Sequence, residues 1–153
     1  MRKPGVHLIG HTVYIVLYGL QIVLSIFFYR SGPIDVLIYV GWCILIFGVF
    51  MVSWSIISRK REIGFVSNGI YAFVRHPEFL GHMLIISSLA LLTQHLFSFI
   101  VGGVLIFLLY LAMVEEEKKN LEKFGDSYRE YMRGVPRVNL ILGVLRICVK
   151  RRR

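Results

Sequence analysis

FLGHMLIISSLALL-TQH-LFSFIVGGVLIFLLYLAMV, residues 79–114, decides how this chain folds. Its second half, Leu96 to Val114, carries no charged side chain and is long enough to cross a hydrocarbon core about 30 Å thick. The first half, Phe79 to Leu92, falls in the length range where a buried core helix competes with a membrane span. Thr93-Gln94-His95 settles the matter, because so short a polar connection can only reverse the chain direction. The result is a helical hairpin. Pro77 fixes where it begins: proline lacks the N–H that the first helical turn leaves unpaired, and its φ is already helical.

Upstream of the hairpin lie two more apolar runs, Leu8 to Tyr29 and Val36 to Ile57. The sequence therefore predicts an all-α, polytopic membrane helix bundle of about four transmembrane helices, with spans near 8–29, 36–57, 77–92 and 96–114. A helical extension and a basic interfacial tail, 115–153, complete one domain over 1–153. Composition agrees: 56% of the 153 residues are hydrophobic, and the mean hydropathy of +0.67 is far above that of a water-soluble domain. No small-x-small cleavage site follows the first run, so the chain is expected to be mature protein. Gln21 and His11 in span one fit interhelical hydrogen bonds, and Trp42 and Trp54 suit the headgroup regions at the ends of span two.

A net charge of +9 raises the question of nucleic acid, whose phosphates attract a basic face. The distribution of charge argues against it. With four spans, the N-terminus, the middle loop and the C-terminus share one side, and that side holds every Lys and Arg except Arg30. The positive-inside rule makes it cytoplasmic. No nucleic-acid partner is expected. Cys43 lies in a span and Cys148 in the tail, so neither a disulfide nor a metal site is implied.

Two polar segments meet this boundary. The first runs from Gly69-Ile70-Tyr71 through Arg75-His76-Pro77-Glu78-Phe79-Leu80-Gly81 and presents a helix N-terminus that can receive an anion. The second starts at Glu115-Glu116-Glu117, where carboxylates at the end of a span, beside the helix's own negative pole, favour a nearby cation. Span four then continues as a helix with Leu121 and Phe124 at helical spacing. Gly125 is a natural cap there, and a further short helix carrying Tyr128 and Tyr131 stops at Gly134 and Pro136. From Val138 to Val149 the tail is apolar with Arg146 embedded, then basic from Lys150 to Arg153, which suits an interface with anionic lipid headgroups. Blander readings exist for each feature. Arg75 and His76 can anchor a membrane interface, the acidic triplet can be a solvated helix end, and Tyr128 and Tyr131 can form a buried stripe.

Taken together, G-x-Y-x-x-x-R-H-P-x-F-x-G, then paired glutamates, F-G-x-x-Y-x-x-Y and V-P-R, resembles the isoprenylcysteine carboxyl methyltransferase family, with its related membrane phospholipid methyltransferases. The resemblance covers about Ile63 to Arg137. It implies a membrane methyltransferase that binds S-adenosylmethionine on the cytoplasmic side and acts on a lipophilic or lipid-linked acceptor. Matched position by position, it implies a cofactor pocket of Ile63, Gly64, Phe65, Val66, Tyr71, His76, Pro77, Glu78, Phe79 and Glu116, with Arg75, His76 and Glu116 at the reaction. A glutamate can pair with the cofactor's ammonium, while Tyr71, Phe65 and Phe79 offer ring faces. For an amine or hydroxyl acceptor, His76 or a neighbouring glutamate can take the proton. Two positions depart from the pattern: where the prenylcysteine enzymes carry a substrate-holding arginine, this chain has Ala112, with Arg75 and Arg137 the candidates to replace it, and Asn120 stands where a leucine is usual. Two other readings stand beside this one, a nicotinamide-dependent reductase related to the sterol reductases and a non-catalytic lipid-binding scaffold.

Overall fold

The computed structural model describes residues 4–59 and 66–150. Five α-helices make up nearly all of them: α1 (Pro4–Phe27), α2 (Asp35–Arg59), α3 (Pro77–Thr93), α4 (Leu96–Gly134) and α5 (Leu140–Lys150). A 3₁₀ turn, Gly69–Ala72, precedes α3, and no strand occurs among the described residues. The protein is an integral membrane protein. Three of its helices are long and apolar enough to cross a bilayer, α1 from Gly10, α2 and α4. At 17 residues, α3 extends about 25 Å, the lower limit for a span. It is the shortest of the four expected. Large apolar side chains point outward from Val13 to Phe27 of α1 and along α2, a surface that lipid tolerates and water does not.

The chain divides into two compact units, Met1–Ile46 with Met83–Tyr110, and Phe47–His82 with Leu111–Arg153. In the first, the expected hairpin turn is present, and Gln94 makes it possible. Its backbone takes the left-handed conformation, φ 51°, and its side-chain amide accepts from the Ile34 N–H at 3.0 Å and donates to the Ile34 carbonyl at 2.7 Å. Ser31 Oγ donates to the Thr93 carbonyl at 2.7 Å. Both connections at this end are thus tied to each other. Gln21 makes the interhelical bond expected of a polar residue in a span, donating from Nε2 to Ser98 Oγ at 2.7 Å in the interior.

In the second unit α2 and α3 approach closely at Gly81. A Cβ there would lie 2.6 Å from Val52 Cγ2 and 2.9 Å from the Gly48 carbonyl oxygen, so only glycine permits the contact. α4 is 39 residues long in all, and its continuous stretch 96–124 runs about 43 Å, beyond any one crossing. As expected, the helix breaks at Gly125, at φ 55° and ψ −128°, and a further helical stretch runs through Tyr128 and Tyr131 to Gly134. The acidic triplet therefore lies within α4 rather than at its end, so the helix's negative pole does not act on it. Arg146 of α5 serves that pole, donating to the Arg133 and Gly134 carbonyls at 3.4 and 3.3 Å, as a cation at a helix C-terminus should.

Candidate functional site

The site is assembled within the second unit from the 3₁₀ turn, the start of α3, the kinked part of α4 and the Val135–Arg137 segment. Tyr71 is buried, its hydroxyl 2.8 Å from Ser55 Oγ, and its carbonyl accepts from the Tyr131 hydroxyl at 2.7 Å. Two residues of each motif then pair through their backbones. The Arg75 and His76 amides donate to the Pro136 and Arg137 carbonyls at 2.9 and 3.1 Å. This clip joins the R-H-P and V-P-R segments, which are far apart in the chain.

Beneath the clip lies Glu117, only 4% exposed. Its carboxylate receives Arg137 Nε at 3.1 Å and Nη2 at 2.6 Å. Arg75 Nη1 approaches it at 2.8 Å and His76 Nε2 at 3.2 Å. Burial alone would raise the Glu117 pKa. The Arg137 hydrogen bonds and the Arg75 and Arg137 charges outweigh burial and leave it lowered. His76 responds the other way. Burial pushes its pKa down to about 4 against the pull of Glu117, so the ring is neutral near pH 7, meets Glu117 by a hydrogen bond rather than an ion pair, and is a weak base. The cation that the acidic triplet called for is the chain's own.

Glu116 stands one residue away in a different environment. It is half-buried, and burial raises its pKa, with Arg59 opposing and Glu78 and Glu117 adding to the rise. It lines a cavity of about 180 Å³ together with Arg59, Val66, Tyr71, Arg75, His76, Asn120, Lys123, Phe124, Tyr128 and Tyr131. The cavity combines one carboxylate, three cations and several aromatic rings. Arg59, at its edge, is paired with Glu78 at 2.9 Å. Burial would lower its pKa, yet Tyr71, Glu78 and Glu116 raise it, so it is a permanent cation there.

Comparison with known proteins gives the family of the chain. The family model for phospholipid methyltransferases matches residues 9–127. The chain belongs to the phospholipid methyltransferase family. Two curated relatives are similar to it. One is a methanethiol S-methyltransferase of Mycobacterium tuberculosis, 29% identical over 111 residues, covering 65% of this chain and 45% of the relative. The other is a protein-S-isoprenylcysteine O-methyltransferase of Schizosaccharomyces pombe, 29% identical over 79 residues, covering 51% of this chain and 34% of the relative. The chain thus spans less than half the length of either. No solved structure matches it.

In this phospholipid methyltransferase family member, Val66, Tyr71, Arg75, His76 and Glu116, among the residues that the resemblance assigns to the pocket, line the cavity. Ile63, Gly64 and Phe65 lie outside the described residues. Pro77 and Phe79 do not line the cavity; the Phe79 ring lies edge-on to the His76 ring at 5.5 Å, and Glu78 is paired with Arg59. Sequence reasoning missed the part played by Glu117 and the cavity positions of Arg59, Asn120 and Lys123. Tyr128 and Tyr131, which sequence reasoning placed in the second motif and read chiefly as a buried stripe, are buried and half-buried and also line the cavity. Their spacing from Glu116 held the clue: Asn120, Lys123 and Phe124 recur at helical intervals on one face of α4. Arg75 and Arg137, the candidates to replace the arginine absent at Ala112, are both engaged by Glu117.

Proposed function

We propose that this protein is an S-adenosylmethionine-dependent methyltransferase that modifies a lipophilic or lipid-linked acceptor at the cytoplasmic face of the membrane, with both termini on that side. The observation that carries the reading is the composition of the cavity. It draws its lining from both sequence motifs and offers what the cofactor's ends require. Glu116 pairs with the amino acid ammonium, Arg59 or Lys123 takes the carboxylate, and the rings of Tyr71, Tyr128 and Phe124 take flat or cationic groups on their faces. The family resemblance assigns Ile63, Gly64 and Phe65, which lie outside the described residues, to the same pocket as Val66. Bound there, the cofactor supplies a sulfonium-activated methyl group. Because positive charge disappears as that methyl leaves, the chain's task is to align the reactants and keep water out rather than to provide an acid.

His76, its pKa lowered to about 4 by burial, is a weak acceptor for the proton of an amine or hydroxyl. The acceptor is not carried over from either relative, since one is named for transfer to sulfur and the other for transfer to oxygen. Ala112 and the engagement of Arg75 and Arg137 weigh against a prenylcysteine carboxylate held as in the enzymes of that name.

The test is binding to the purified full-length protein. S-adenosylmethionine and S-adenosylhomocysteine should each raise its thermal midpoint, a nicotinamide dinucleotide should not, and radiolabelled methyl should pass into a membrane lipid extract. Stabilisation by the dinucleotide alone, or by none of these, would overturn the proposal.

A further inference from the structure

α5 is held in one orientation by contacts within its own unit. Leu140, Gly143 and Ile147 form its inward face, and a Cβ on Gly143 would run into the Phe73 carbonyl. Asn139 Oδ1 accepts from the Leu142 N–H at 3.0 Å and caps the first turn, while Arg146 bonds to the end of α4. With those contacts fixed, Ile141, Leu145 and Val149 face outward at 73%, 55% and 59% exposure. A helix lying against water would show polar residues on that side. This apolar stripe leads directly into Lys150, Arg151, Arg152 and Arg153. An apolar face next to four consecutive cations is complementary to acyl chains beneath anionic headgroups.

We propose that α5 is an in-plane anchor seated on an anionic bilayer surface, and that its seating holds the Phe73–His76 segment beside the cavity. The coupling runs through two contacts. Gly143 abuts Phe73, two residues before Arg75, and the stretch of chain leading into α5 supplies the Pro136 and Arg137 carbonyls that hold the Arg75 and His76 amides. Moving α5 therefore disturbs both partners of the clip. The inference stands apart from the methyl donor, because neither the seating nor the clip requires a bound cofactor.

The experiment uses the full chain in lipid nanodiscs with the exposed Cys43 and Cys148 replaced by serine. A nitroxide is placed at L145C or, as a control on the exposed side of α4, at E130C. In phosphatidylcholine containing phosphatidylglycerol, the label at 145 should be reached by oxygen and shielded from a nickel chelate, with the reverse at 130. In phosphatidylcholine alone the shielding at 145 should weaken. The substitutions K150E, R151E, R152E and R153E together should return that label to water and speed hydrogen exchange at the Arg75 and His76 amides about tenfold or more. Equal nickel access at 145 and 130, or seating indifferent to lipid charge, would overturn the anchor. Spin–spin broadening between labels at 145 would overturn it too, by showing a second copy of the chain on this face. Release of α5 with unchanged exchange at Arg75 and His76 would overturn the coupling.

Discussion

Replacing Glu117 by Ala strips the counter-charge from two arginines and the hydrogen-bond partner from His76, while replacing Glu116 by Ala opens space in a cavity. The adjacent residues should therefore fail in opposite ways. The Arg75 side chain is 10% exposed and that of Arg137 31%, so the first is left a nearly buried unpaired charge and the second can turn to water. Breaking a buried pair by removing one partner costs about 3–5 kcal/mol. A chain of this size loses roughly 2–4 °C per kcal/mol, so Glu117→Ala should lower the thermal midpoint by roughly 6–20 °C. Glu116 is half-buried with a raised pKa, so its carboxylate adds little to the fold, and Glu116→Ala should move the midpoint by no more than about 0.5 kcal/mol's worth. It should weaken S-adenosylmethionine binding by roughly 10- to 150-fold, the loss of a charge-assisted hydrogen bond of about 1.5–3 kcal/mol. Scanning fluorimetry of the detergent-purified protein reads the first quantity and equilibrium binding the second. A Glu117→Ala midpoint within about 2 °C of the parent, in the same comparison, would refute the assignment of Glu117 as the hub. Unchanged affinity in Glu116→Ala would refute the pocket.

Acidification should destabilise the site in a defined window. The His76 pKa falls from its ordinary 6.5 to about 4 on folding, so the unfolded chain binds the extra proton between those values. The neutral ring's contribution is complete above pH 6.5 and is lost as pH drops through 4, at most about 3 kcal/mol, and H76N should flatten the midpoint-versus-pH curve over that interval. Gly81→Ala would drive a Cβ against Val52 and the Gly48 carbonyl; overpacking of this kind costs roughly 1–3 kcal/mol and should appear as a lowered midpoint with faster hydrogen exchange in the facing parts of α2 and α3.

Much of the architecture was legible because lipid imposes a simple rule: a helix in a bilayer must satisfy its own backbone and show apolar side chains over a set length. Leu96 to Val114 could hardly be anything else, and Pro77 marked the start of α3 to the residue. Gly125 was legible as the break between two helical stretches, because a residue without a Cβ readily takes the left-handed φ of 55° found there. In the site, the family pattern pointed to Tyr71, Arg75, His76 and Glu116, and the cavity gathers all four. It could not separate Glu116 from Glu117.

By itself the sequence determined the all-helical membrane architecture, the hairpin, the two motif blocks and their order, since each is written in local periodicity and short spacing. The tertiary structure alone decided which glutamate faces the cavity and which is locked beneath the clip. Successive residues on α4 point about 100° apart, and nothing in the spacing says how that helix is rotated toward Arg75. Its rotation is set by packing: Tyr131 on the Tyr71 carbonyl, Arg137 on Glu117, and the backbone bonds that join Arg75 and His76 to Pro136 and Arg137. Gly143 is a second case, an ordinary small residue in an apolar tail until the Phe73 carbonyl is found against it. Contacts between residues distant along the chain fixed these roles, and a pattern read along one chain does not contain them.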